Sequence, residues 1–142
     1  MTTTNEATTT TTSAPAVWPC LAFRDARGTA DFLVEAFGFE PTALYTREDD
    51  PTVVEHGELR WPLGGGIMFG TAGRDTGLPD NRQPGTESVY IVCTDPDALY
   101  ERALAAGAKT VRGLRDEDYG SREFTVADPE GNHWSFGTYR GK

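Results

Sequence analysis

Apolar residues in the first half of the chain follow strand-like spacing, then helical spacing, then strand-like spacing again. The segment VWPCLAF at 17–23 is short and apolar, which is typical of a strand. In ADFLVEAFGF at 30–39, apolar residues recur at helical spacing and Gly38 stands where a helix ends. The segments PTALYTR, VVEHGELRWPL and GGGIMFG have the length and composition of strands. The pattern predicts the order β-α-β-β-β.

The same order recurs in the second half. SVYIVCTD predicts a strand, PDALYERALAAGAK a helix that ends at Gly107, and TVRGL, SREFTVAD and HWSFGTY three more strands. Gly38 aligns with Gly107 and Met68 with Ser135, a repeat of about 70 residues that indicates duplication of one unit. One such unit is too small to bury its own sheet face. We therefore predict an α+β fold in which two βαβββ modules form a curved mixed sheet around a cleft.

The domain boundaries follow from composition. Residues 1–16 are rich in threonine and lack large apolar side chains, so we expect a disordered tail. Residues 17–140 are predicted to form a single domain, because 142 residues is the size of one domain. Its modules would span about 17–71 and 87–140. The Gly- and Pro-rich segment 72–86 is the predicted linker between them.

Charge and apolar content exclude several classes of partner. The formal net charge of -9 disfavours nucleic acid, whose phosphates are bound by lysine and arginine. No apolar run approaches the roughly 20 residues that cross a bilayer, and the start of the chain has no secretory signal, so we expect no membrane partner and a cytoplasmic location. Cys20 and Cys93 lie in apolar strand-like runs and form no CxxC motif, which predicts buried free thiols.

Two segments carry a resemblance to a known family. In YGSREFTVADPEGNHWSFGTYR at 119–140, the DPEGN turn at 128–132 combines a proline that favours a turn with residues that tolerate positive φ. This turn and the helix segment ADFLVEAFGFEP resemble the vicinal oxygen chelate superfamily, which includes glyoxalases, bleomycin-resistance proteins and extradiol dioxygenases. The resemblance covers about residues 17–140. It implies a small-molecule cleft and a homodimer, with the cleft formed either within one chain or between swapped modules of two chains.

The resemblance also implies where a metal ion would bind. Metal-dependent members take their ligands from the start of the first strand and from the last strand of each module. The matching residues are Trp18, Met68, Ser88 and Ser135. An indole, a thioether and two hydroxyls do not suit a divalent metal, so we predict neither a metal nor another cofactor. The alternative is a displaced metal site built from His56, Glu58 and His133, although these residues show no recognised ligand spacing.

Strand alternation predicts which side chains face the cleft: on the first strand Leu21 and Phe23 pack against the helix, and Trp18, Cys20 and Ala22 face the cleft. The predicted ligand-binding residues are Trp18, Cys20, Arg60, Met68, Ser88, Tyr90, His133 and Ser135. Glu123 is expected to face the cleft as well. Aromatic rings, a thioether and a few polar groups suit a planar ligand. Alternatively, Trp18, Tyr90 and Met68 fill core volume between the modules.

These observations predict a metal-independent protein that binds or sequesters an aromatic or cationic small molecule, similar to the bleomycin-resistance branch and to its role in antibiotic resistance. Acidic loops at 49–50 and 116–118 would attract a cation if they rim the cleft, and are otherwise solvated surface. Two alternatives stay open. One is a glyoxalase- or dioxygenase-type enzyme with displaced metal ligands, and the other is an interaction module whose cleft is filled by its own side chains.

Overall fold

The computed structural model describes residues 14–78 and 83–142. Most of the predicted disordered tail lies outside the described residues, as does part of the predicted linker, so these two predictions stay open, as do the module boundaries. In chain order the described elements are β1 (Cys20–Phe23), α1 (Ala26–Phe37), β2 (Glu40–Arg47), β3 (Asp50–Arg60), β4 (Gly66–Thr71), β5 (Ser88–Val92), α2 (Pro96–Ala105), β6 (Lys109–Asp116), β7 (Arg122–Ala127) and β8 (His133–Gly137). Neither helix is long and apolar enough to span a membrane.

The strands form two four-stranded mixed sheets. The first module contributes the order β1-β4-β3-β2, and the second module contributes β5-β8-β7-β6. In each sheet the first strand pairs in parallel with the last, and the other pairs are antiparallel. The predicted α+β fold of two βαβββ modules is therefore confirmed.

Aspartates begin the two helices and glycines follow their ends, the glycines at the predicted places; α1 starts at Ala26, four residues before the predicted segment at 30–39, because Asp25 caps it. The Asp25 side chain accepts a hydrogen bond from the Gly28 amide at the start of α1, which ends at Gly38 with φ of 93°. Glycine adopts that left-handed conformation without a steric penalty. The second helix begins after Asp95 in the same way, and Gly107 beyond its end has φ of 101°. Each helix is thus positioned by local signals.

A single aromatic core joins the two modules. Phe37 at the end of α1 contacts Trp134 and Phe136 on β8, with ring centroids 5.9 and 4.7 Å apart. Phe39 packs against Trp61 at 5.1 Å, and Trp61 packs against Phe136 at 5.8 Å. Because these rings belong to both modules, neither module has a core of its own.

Side chains alternate between this core and the opposite face of each sheet. On β1, Leu21 and Phe23 are buried whereas Cys20 is exposed, and on β8 Trp134 is buried whereas His133 is exposed. The prediction of buried thiols is therefore wrong for Cys20, whose position in the strand turns it away from the core, and holds for Cys93. We call the face opposite the core the open face. The first open face carries Cys20, Ala22, His56, Glu58 and Met68, and the second carries Ser88, Tyr90, Glu123, Thr125 and Ser135. These two faces hold most of the predicted binding residues.

The DPEGN turn between β7 and β8 is organised by a buried carboxylate. Asp128 is 4% exposed and accepts four hydrogen bonds of 2.8–3.0 Å. The donors are the amides of Glu130 and Asn132, the Asn132 side chain and the Trp134 indole. Gly131 has φ of 96°, in agreement with the predicted turn. The turn is thereby held rigidly to the core strand β8.

This turn directs Glu130 to the start of α1 in the other module. The Glu130 carboxylate accepts hydrogen bonds from the Arg24 and Asp25 amides at 2.8 and 2.7 Å and from the Thr29 hydroxyl at 3.1 Å. A negative charge at a helix N-terminus is favourable because the exposed amides carry partial positive charge. Glu130 therefore links the modules through both hydrogen bonds and charge.

The other end of α1 receives a cation from the second module. The Arg102 guanidinium on α2 donates to the carbonyl oxygens of Glu35 at 2.9 Å and Val34 at 3.3 Å. These carbonyls belong to the last turn of α1, where partial negative charge accumulates. The second module thus supplies a negatively charged side chain to the N-terminus of α1, where partial positive charge accumulates, and a positively charged side chain to its C-terminus.

Candidate ligand-binding site

The first open face contains a hollow of about 430 Å³. Cys20 on β1 lies beside Met68 on β4, which lies beside Glu58 on β3, so the three side chains share this face. The hollow is lined by, among others, Cys20, Ala22, His56, Met68, Gly70 and Arg74. Two of the predicted binding residues, Cys20 and Met68, therefore lie together at a concave surface.

Arg74 places a fixed cation in this hollow. Its guanidinium donates to the carbonyl oxygens of Thr71 at 2.7 Å and Glu55 at 3.1 Å. A Cβ at Gly70 would lie 2.2 Å from an Arg74 nitrogen, so the guanidinium rests directly on glycine backbone. Sequence analysis missed Arg74 because it falls in the predicted linker. The glycine at position 70 was the one available signal, since it allows such a close approach.

His56 and Glu58 form a hydrogen-bonded pair on the same face. The His56 Nε2 and a Glu58 carboxylate oxygen are 2.7 Å apart, and the Tyr45 ring stacks on the imidazole at 6.3 Å. His133 lies on β8 in the second sheet. Among residues 14–78 and 83–142, no group of three or more His, Cys, Asp or Glu side chains is placed to hold a metal ion. The displaced metal site of His56, Glu58 and His133 is therefore not assembled.

The positions that hold a metal in related proteins also carry unsuitable donors here. Trp18 covers Gly66, where a Cβ would lie 2.9 Å from the indole ring, and its Nε1 donates to the Pro15 carbonyl oxygen at 3.2 Å. Met68 offers only a thioether. On the second sheet, the Ser135 hydroxyl is hydrogen-bonded to another hydroxyl at 2.7 Å. These residues do not fit a divalent metal ion.

The eight predicted binding residues fall into two groups on different sheets. Ser88 pairs with His133, and Tyr90 pairs with Ser135, so these four residues are neighbours on β5 and β8. The other group contains Trp18, Cys20, Arg60 and Met68, which belong to the first sheet or to the segment leading into it. Arg60 is exposed and forms an ion pair with Glu40 on β2. Trp18 is half-buried and is not one of the buried core residues.

The second open face holds a tyrosine cluster around a buried acid, which we call the Glu123 cluster and define as Glu123, Tyr90, Tyr119 and Tyr139. Glu123 is 8% exposed and accepts a hydrogen bond from the Tyr119 hydroxyl at 2.8 Å. The Tyr90 hydroxyl donates to the Tyr139 carbonyl oxygen at 2.8 Å, and the Tyr119 and Tyr139 rings meet edge to face at 5.7 Å. Sequence analysis expected Glu123 at the site but missed Tyr119 and Tyr139, which lie in a turn and beyond the last strand.

The buried carboxylate changes the acidity of its neighbours. Its hydrogen bond raises the pKa of Tyr119 to about 12, because an ionised phenol would face a second negative charge. Burial, reinforced by the same carboxylate, raises the pKa of Tyr90 above its ordinary value. Both phenols are therefore protonated hydrogen-bond donors at neutral pH.

A smaller pocket lies where the two modules meet. Its volume is about 330 Å³, and its lining includes Phe39, Trp61, Ile67, Tyr90 and Val92. The Trp61 indole donates to the Val92 carbonyl oxygen at 2.9 Å, at the end of β5. The lining therefore joins core residues such as Phe39 and Ile67 to exposed ones such as Tyr90.

The comparisons with known proteins agree with this architecture. Residues 16–136 match the sequence profile of the Glyoxalase/Bleomycin resistance protein/Dioxygenase superfamily. An uncharacterized protein of Mycobacterium bovis is 34% identical over 134 residues, which span 87% of this chain and 82% of that protein. The crystal structure of TioX from Micromonospora sp. ML1 is similar with a TM-score of 0.74 at 28% identity, over 89% of this chain and 98% of TioX.

A second solved structure shows the same fold at lower identity. A member of the superfamily from Sphaerobacter thermophilus has a TM-score of 0.61 at 22% identity and covers 86% of this chain and 96% of its own. The βαβββ repeat, the DPEGN turn and the profile match all indicate the same superfamily. The resemblance inferred from the sequence is therefore confirmed. This chain belongs to the Glyoxalase/Bleomycin resistance protein/Dioxygenase superfamily.

Proposed function

We propose that this protein binds and sequesters a small organic molecule without a metal ion, as a bleomycin-resistance protein does, and so contributes to antibiotic resistance. The observation that carries the proposal is the hollow over Cys20 and Met68 on the first open face. Its volume of about 430 Å³ is within the range of roughly 300–1,000 Å³ for small-molecule sites. The absence of suitable donors at Trp18, Met68 and Ser135 supports binding without a metal.

The lining of the hollow supports an aromatic ligand with polar substituents. The thioether of Met68 and the backbone of Gly70 offer an adaptable floor on which a ring could lie. Arg74 and the hydrogen-bonded His56 stand at its side and could orient polar groups. In a mainly apolar hollow, a few polar groups fix the orientation of the ligand, and the burial of apolar surface provides most of the binding affinity.

Trp18 lies over Gly66, two residues along β4 from Met68, and tests whether a planar ligand in the hollow also stacks on the indole. Replacing Trp18 with alanine should weaken binding of a planar dye by at least about 1 kcal/mol, because aromatic stacking contributes energy of that order. The free energy of unfolding should fall by less than about 2 kcal/mol, since the indole is half-buried and outside the core. Ethidium and 8-anilinonaphthalene-1-sulfonate, one cationic and one anionic, would be titrated by dye fluorescence beside urea denaturation.

Leu104→Ala is the matched control, because Leu104 is a partly exposed apolar residue on α2, away from the open faces. It should leave dye binding unchanged. Failure of the unmodified protein to bind either dye would contradict the proposed function. A Trp18→Ala variant that loses about 3–5 kcal/mol of stability would instead identify Trp18 as core packing.

We also propose that the protein is a homodimer. Strands β1 and β5 are edges of their sheets and pair on one side only, which leaves backbone groups available to a second copy. Closed two-fold contacts are the commonest way to cover such surfaces. Sedimentation equilibrium at micromolar concentration should give twice the mass of one chain. A monomer that still binds dye would overturn this proposal.

A further inference from the structure

We propose that the Glu123 cluster is a binding site for an organic ammonium group. It lies on the second open face, away from the hollow over Met68, and it goes beyond the proposed function by assigning a second site with its own class of ligand. An ammonium group would lie against the exposed tyrosine rings with the Glu123 carboxylate beneath it. The proposal rests on three features of the cluster.

The first feature is a buried carboxylate that forms no ion pair of its own. Glu123 is 8% exposed, and its carboxylate accepts a hydrogen bond from the Tyr119 hydroxyl. In the described ranges 14–78 and 83–142, no Lys, Arg or His forms an ion pair with it. Arg115, across from it on β6, interacts with it electrostatically but forms its ion pair with Glu117, at 2.7 Å. A buried charge without an ion-pair partner is costly, so a cationic ligand would be favoured there.

The second feature is the exposure of the tyrosine rings around that charge. Tyr90, Tyr119 and Tyr139 are 42%, 55% and 39% exposed. Rings that are exposed and grouped can receive a ligand, and the faces of aromatic rings attract ammonium groups. Tyr119 stands on the turn before β7 and covers Glu123, so its ring would form the wall of the site nearest to solvent.

The third feature is the space that Gly137 provides for the cluster. A Cβ at Gly137 would lie 2.5 Å from Glu123 Cγ and 2.6 Å from the Tyr90 hydroxyl. Only a residue without a side chain lets both groups approach the sheet so closely. The positions of Glu123 and Tyr90 in the cluster therefore depend on the glycine at position 137 in β8.

Choline and its uncharged isostere 3,3-dimethylbutan-1-ol are the probes for this site. They have the same shape and hydroxyl but differ in charge, and neither has an aromatic ring. Isothermal titration and changes in tyrosine NMR signals would measure binding to the full-length protein. We expect choline to bind at least tenfold more tightly than the isostere. Equal binding of the two probes, or no binding of choline, would overturn the proposal.

Two variants assign the site. Glu123→Gln should weaken choline binding at least tenfold, whereas Asp118→Asn, which removes the same charge from the exposed turn before β7, should change it less than twofold. Equal losses in both would show general attraction to an acidic surface and overturn the proposal. Thermal denaturation of each variant would establish that it is folded.

The ring of Tyr119 is tested separately. Tyr119→Leu should weaken choline binding at least threefold, and Tyr119→Phe, which keeps the ring, should not weaken it. Equal weakening by both variants would contradict a ring contact. Because neither the probes nor these variants involve the hollow over Met68, a failure here is distinguishable from a failure of dye binding at Trp18.

Discussion

Replacing Asp128 with alanine is expected to lower the free energy of unfolding by about 3 kcal/mol or more, the largest effect we predict. The variant leaves the Trp134 indole and the Asn132 amide, both fully buried, without their acceptor. A buried donor without a partner costs about 1–3 kcal/mol. The two backbone amides that Asp128 holds in the turn lose their acceptor as well. Urea denaturation would measure the change.

Asp128→Asn separates shape from hydrogen bonding. The amide keeps the size of the side chain but presents an NH₂ group where two donors point, so we expect a loss of about 2 kcal/mol. Asp118→Ala is the control, because Asp118 is exposed in the turn before β7 and should change stability by less than about 0.5 kcal/mol. A loss below about 1 kcal/mol in Asp128→Ala would contradict the role of this carboxylate.

Replacing Glu130 with alanine is expected to lower the free energy of unfolding by about 2–3 kcal/mol. The variant removes three hydrogen bonds to a charged acceptor and a favourable charge at the start of α1. The Thr29 hydroxyl, 2% exposed, loses its partner. Glu101→Ala is the matched control, since Glu101 is exposed on α2 and should cost little. Urea denaturation of both variants would show whether the loss is specific.

Arg102→Met extends the test to the other end of α1. This variant keeps an apolar stem but removes the donors to Glu35 and Val34, and we expect a loss of about 1 kcal/mol. The ends of a 12-residue helix are about 18 Å apart, so the losses from Glu130→Ala and Arg102→Met should add within about 0.5 kcal/mol. Strong non-additivity would mean that the modules separate when one link is lost.

The fold and the function stand on different evidence. A shared fold does not establish a shared activity, because function depends on the groups at a site. Here the sheet positions that would bind a metal carry Trp18, Met68, Ser88 and Ser135. The groups with distinctive chemistry are instead Arg74 in the hollow and Glu123 among the tyrosines.

The sequence by itself determined the elements and the orientation of their side chains. Strand alternation predicted that Leu21 and Phe23 are buried and Cys20 is not, and the structure agrees. Gly38 and Gly107 marked the helix ends. These predictions succeeded because alternation, helical spacing and positive φ are local properties, which a short stretch of sequence already contains.

The tertiary structure alone decided how distant segments meet. Glu130 contacts Arg24 across 106 positions of sequence, and Arg102 contacts Glu35 across 67. Arg74 reaches the hollow from the predicted linker, and Tyr119 reaches Glu123 from a turn. None of these contacts leaves a periodic signal. Those of Glu130 and Arg102 depend on the packing of the two modules, and those of Arg74 and Tyr119 depend on how a loop and a turn fold back onto their own sheet. Strand pairing between segments remote in sequence also determined which of the two sheets each predicted binding residue belongs to.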